Sequence, residues 1–99
     1  MTAAPDAQEN FGIANAIRRN DPGNALRELT LALDAGTVPV MILGQLRVAA
    51  EQLPPPRVRE AIEAVFRTDL AVKSSGGDPR ILLERLVIEL SGRRPQARR

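Results

Sequence analysis

The chain has 99 residues, 43% of them hydrophobic and 26% charged, and a formal net charge of +2. It contains neither Cys nor His, which excludes disulfides and thiolate chemistry and removes the two usual ligand types of zinc. A chain of this length fits one domain that buries about 60–65% of its unfolded surface, and an interior of Ala, Leu, Val and Ile suits closely packed helices better than a sheet.

The basic balance is local. Arg93, Arg94, Arg98 and Arg99 lie in the closing "RRPQARR", so residues 1–92 carry 10 of the 14 basic side chains against all 12 acidic ones. We expect a single helical domain over 1–92 and a disordered, solvated Arg-rich tail over 93–99, whose charge suits contact with nucleic acid or an anionic surface. No apolar run approaches about 18 residues, so no membrane span is expected. The opening "MTAAPDAQEN" has neither the basic nor the apolar region of a signal peptide, and a cytoplasmic location is the default expectation.

Pro and Gly divide the chain into about five helical segments. The first is expected over residues 6–19, with Phe11, Ala14, Ile17 and Ile13 on one side and Gly12 weakening it by up to about 1 kcal/mol. In "NDPGNALRELTLALDAG", Asp21 is a good N-cap, Pro22 suits the first helical position and Gly36 supplies a left-handed C-terminal cap. Ala25, Leu26, Leu29, Ala32 and Leu33 share one face; Leu31 lies off it. The third segment, "VPVMILGQLRVAAEQL", starts near Pro39 and is apolar almost all round, a pattern expected of a helix buried on several sides. A buried strand over 38–43 is the alternative there, disfavoured because the run continues without a turn signal.

"LPPP" then breaks the chain. A fourth helix from about Pro56 to Lys73 is expected to turn Val58, Ile62, Val65, Phe66 and Val72 inward and to carry an Arg59, Glu63, Arg67 ladder outside. After "SSGGDP" comes a fifth helix capped by Asp78, with Leu82, Leu83, Leu86, Val87 and Leu90 as its core stripe. Ile81 and Ile88 form a second apolar line, and Gly92 ends the helix. The fold expected is all-α, a compact bundle of about five helices.

No catalytic constellation emerges. A phosphate loop needs its glycines ahead of the Lys-Ser pair, whereas Lys73, Ser74 and Ser75 precede Gly76 and Gly77, and Asp78 sets a negative charge where phosphate would sit. "KSSGG" reads as a connector between helices. Glu60 and Glu63 are flanked by arginines, as on a solvated face. We therefore expect no enzyme, metal, cofactor or small-molecule substrate. Leu31, the second side of the third helix, and Ile81 with Ile88 are more apolar positions than a small bundle readily buries, and Leu31, Ile81 and Ile88 are the candidate interface. Asp69 is expected to pair with Arg80 or Arg85 across the connector.

Two stretches point to a family. "FRTDLAVKSSGGDPRILLERLVIEL", Phe66 to Leu90, closely resembles the last two helices of the delta subunit of bacterial DNA polymerase III, part of the sliding-clamp loader. "DPGNALRELTLALDAGTVPVMILGQLR", Asp21 to Arg47, resembles the same family in the right order, although many members have a longer stretch between the positions matching Leu46 and Ala61. The resemblance implies the C-terminal third of a larger protein, a collar-type domain that holds loader subunits together. In that family two ATPase-like domains precede the collar, and delta opens the clamp without hydrolysing ATP. The partners implied are the other loader subunits, with DNA touched only indirectly or through the Arg tail. The competing expectation is a free-standing helical adaptor or nucleic-acid-binding domain that uses the tail.

Overall fold

The computed structural model describes residues 5–74 and 77–92, with side chains from residue 12 onward. It consists of five helices: α1 (Pro5–Arg18), α2 (Pro22–Asp34), α3 (Pro39–Glu51), α4 (Pro55–Lys73) and α5 (Pro79–Leu90). The side chain of Phe11, the Ser75-Gly76 pair of the last connector and the Arg tail fall outside what is described. Residues 38–43, for which a strand was the alternative, belong to the α3 turn and helix.

Local chemistry sets the helix ends. Asn20 has φ +57°, and α1 closes with bonds from the Asn20 amide to the Ile17 carbonyl (3.0 Å) and from the Asp21 amide to the Ala16 carbonyl (2.9 Å). The Asp21 carboxylate then accepts from the Asn24 amide at 3.2 Å and from Asn24 Nδ2 at 3.0 Å, opening α2. At the far end of α2 the Gly36 amide reaches the Leu33 carbonyl and the Thr37 amide the Ala32 carbonyl, both at 3.0 Å. Gly36 has φ +98°, a conformation that glycine adopts without a steric penalty. Asp78 caps α5 by accepting from the Arg80 amide at 2.9 Å.

The core is one cluster fed by every helix: Ile13 and Ile17 from α1, Leu29 from α2, Ile42 and Leu46 from α3, Val65 from α4, and Leu83, Leu86 and Leu90 from α5. Alanines at 14, 16, 25, 49, 50, 61 and 64 fill the spaces between them. α5 packs against α2, α3 and α4, while α1 lies on α2 and α3. Gly12 belongs to that α1–α2 contact, for a Cβ there would stand 2.5 Å from Glu28 Oε1.

Two expectations of burial need correcting. Only one side of α3 is buried, through Ile42, Leu43, Leu46, Ala49 and Ala50, and Val40, Met41 and Val48 face outward. Phe66 is 54% exposed, because Ala61, Ala64 and Val65 occupy the inward line of α4 and the next residue turns about 100° away from it. Leu82, Val58, Ile62 and Val72 are half-buried.

A side-chain contact joins the start of α4 to the finish of α5. Arg57, in the first turn of α4, donates to the carbonyls of Glu89 (3.3 Å) and Leu90 (3.1 Å) at the C-terminus of α5, where a cation is favoured by the helix dipole. Gly92 sits beside it with φ +80°; a Cβ there would stand 2.8 Å from Asn20 Oδ1 and 3.3 Å from Arg57 Nη1. Gly92→Ala is therefore expected to destabilise the domain by about 1–3 kcal/mol. Gly44→Ala, in the interior of α3 with open space around the added atom, is expected to stabilise it by up to about 1 kcal/mol. Chemical denaturation of the two variants in dilute solution checks the opposite signs.

Candidate interaction surface

The described residues hold no group of three or more Asp or Glu side chains able to bind a metal ion, and none of their helices is long and apolar enough to cross a membrane. Their most distinctive chemistry is exposed apolar surface. Leu31, Val38, Val40, Met41, Val48, Phe66, Leu70 and Ile81 are each at least half exposed. Single exposed apolar residues are normal, but grouped ones mark contact sites.

By element they form two sets. Leu31 on α2 and Ile81 on α5, 55% and 52% exposed, belong to a helix pair that is bridged by Arg80 Nη2 and Asp34 Oδ1 at 3.0 Å. Leu31 is one turn from Asp34 and Ile81 is next to Arg80, so the ion pair holds both apolar residues at the same end of α2–α5. Ile88, the third candidate, is half-buried and contributes to packing as well as to surface. The second set lies on α3 and α4. Val40, Leu43, Gly44 and Arg47 form one wall of a shallow groove, and Val65, Phe66 and Asp69 form the other. Sequence reasoning singled out the second side of α3 but assigned Phe66 to the core and passed over Leu70, 69% exposed. The missed signal was their spacing: Phe66 and Leu70 are one turn apart and on the side opposite Ala61 and Ala64.

The expected ion pair across the α4–α5 connector does not form. Asp69 pairs within its own helix, with Lys73 Nζ at 3.2 Å, since a residue four positions on is already within reach. Arg80 turns instead to Asp34. Among the described residues Arg85 makes no ion pair; it lines a groove between α4 and α5 with Arg67, Thr68, Ala71, Leu82, Leu86 and Glu89. The expected Arg59–Glu63–Arg67 ladder is replaced by a bridge from Arg67 to Glu89 at 3.6 Å, joining α4 to α5 across that groove. Asp21 and Asp78 are both seated as helix caps.

No protein-family model matches the chain, and no curated protein or solved structure matches it either.

The ion pairs at Asp69 and Arg80 are solvated, with side chains 32–63% exposed. Each is expected to contribute less than about 1 kcal/mol. Asp69→Ala and Arg80→Ala should leave the denaturation midpoint nearly unchanged, whereas Leu86→Ala, which opens a cavity in the core, should cost about 2–5 kcal/mol.

Proposed function

We propose that this domain is a non-catalytic assembly module, the collar-type C-terminal part of a clamp-loader delta subunit. Its role would be to help hold together the complex that loads a sliding clamp during DNA replication in the cytoplasm. The observation that carries the reading is the α2–α5 end, where Leu31 and Ile81 stay more than half exposed beside the Asp34–Arg80 ion pair. An apolar centre with a polar rim is the usual composition of a protein–protein contact. The resemblance of residues 66–90 to the last two helices of the delta family supplies the identity of the partners, the other loader subunits. The block that resembles the family most closely spans the joint between α4 and α5 and includes the Asp78 cap. DNA would be contacted indirectly, through the assembled loader, or by the Arg tail.

The reading is tested by mixing the chain with purified clamp-loader subunits of its source organism and measuring co-elution. Leu31→Asp and Ile81→Asp are expected to leave the helical spectrum and melting temperature close to those of the parent while weakening association about tenfold or more. Ile88→Asp, at a half-buried position, should lower the melting temperature as well. A chain lacking residues 93–99 should still assemble. Failure of the parent chain to associate with any loader subunit would overturn the proposal.

A further inference from the structure

The groove between α4 and α5 differs from the apolar faces because it carries charge that the fold leaves uncompensated. Its volume is about 420 Å³, within the range of small-ligand sites. Arg67 lines it from α4, and Arg85 and Glu89 line it from α5. Glu89 is one turn beyond Arg85 and within reach of it along the helix. Its carboxylate nevertheless bridges the groove to Arg67, at 3.6 Å. Arg85 is left exposed, with no ion pair among the described residues. Two guanidinium groups against one carboxylate give the groove a single positive charge in excess. The Arg67–Glu89 bridge is itself long and solvated, a weak pair that yields to a better-placed acceptor.

Between these charges the lining is apolar: Leu86 is buried, and Leu82 and Ala71 are half-buried. Thr68 is the one neutral polar side chain in the groove. Its hydroxyl donates to the Ala64 carbonyl at 2.9 Å, so its hydrogen is spent and its oxygen remains as an acceptor. A fitting ligand therefore brings one negative charge, one N–H donor and an apolar body close together.

A nucleic-acid backbone lacks the donor and the apolar body, and its successive phosphates would bring a second negative charge up to Glu89. A free fatty acid lacks the donor. A peptide with an acidic residue beside an aliphatic one carries all three. On α5 the lining runs from Leu82 to Glu89, about 10 Å of helix, which is the length of about three extended residues. We propose that this groove recognises a short peptide segment of a partner protein, one Asp or Glu flanked by aliphatic residues. Its carboxylate is held between Arg67 and Arg85, whose planar guanidinium groups suit that acceptor, and a backbone N–H is donated to Thr68. Neither Leu31 nor Ile81 takes part, so the site stands or falls apart from the clamp-loader reading.

The test titrates the peptide acetyl-Leu-Asp-Leu-amide into the full chain labelled with nitrogen-15 and follows the backbone amide shifts. Saturable shifts are expected within residues 67–71 and 82–89, with a dissociation constant of about 1 mM or below. Arg85→Gln, at an exposed position, should weaken binding about tenfold while leaving the melting temperature unchanged. Glu89→Gln removes the carboxylate that competes for Arg67 and should tighten binding about threefold. A probe with Asn in place of its Asp should bind about tenfold more weakly. Inorganic phosphate and a short oligothymidylate should both bind more weakly than the peptide. The proposal is overturned if no saturable shift appears, or if neither Arg85→Gln nor the Asn probe changes the dissociation constant. Phosphate or oligothymidylate binding as tightly as the peptide also overturns it, by making the groove a general anion site.

Discussion

The structure depends on how closely its helices approach. Seven buried alanines, at 14, 16, 25, 49, 50, 61 and 64, stand between helices where larger residues would hold them apart. The interior that results is thin, and its large side chains are Ile, Leu and Val drawn from a narrow stripe on each helix. A thin core accepts only a limited number of big apolar residues. Those in excess remain outside, and on α3 and α4 they are concentrated rather than scattered.

That constraint also explains why the polar devices lie at the periphery. With little volume inside, there is no room for a buried ion pair and its hydrogen-bonding shell, whose desolvation would be costly. Arg80–Asp34 and Arg67–Glu89 instead cross from helix to helix at the surface, where they fix orientation more than they add stability. Arg57 satisfies carbonyls that the end of α5 would otherwise leave to water, linking the start of one helix to the finish of the next.

Helix number and helix ends were legible in the sequence because they are written in short-range chemistry. Asp-Pro at 21–22 and 78–79, Gly36, Gly92 and the proline run at 54–56 act on neighbouring backbone, and no distant contact is needed to interpret them. The buried side of α3 was not legible, because apolar residues around the whole circumference leave no polar marker to tell inside from outside. Phe66 misled for a related reason: size alone suggested burial, yet Val65 already held the inward position. Arg80 found a partner 46 residues away in α2, a contact that depends on how α2 and α5 cross and has no local signature. The groove between α3 and α4 is likewise a product of packing, although the four-residue recurrence of Val40, Gly44 and Val48 was there to be noticed.

Asp21 joins two helices without a true loop between them. Its amide closes α1 on the Ala16 carbonyl, and its carboxylate opens α2 on the Asn24 amide. Helix ends ordinarily fray one at a time, each opening at little cost to its neighbour. Here the last turn of α1 and the first turn of α2 share a residue, so unwinding either one disturbs the residue that closes the other. The joint is built from contacts close in sequence, of the kind that form early when a chain folds. The amides of residues 20, 21 and 24 would then exchange with solvent together, at a common rate set by that joint.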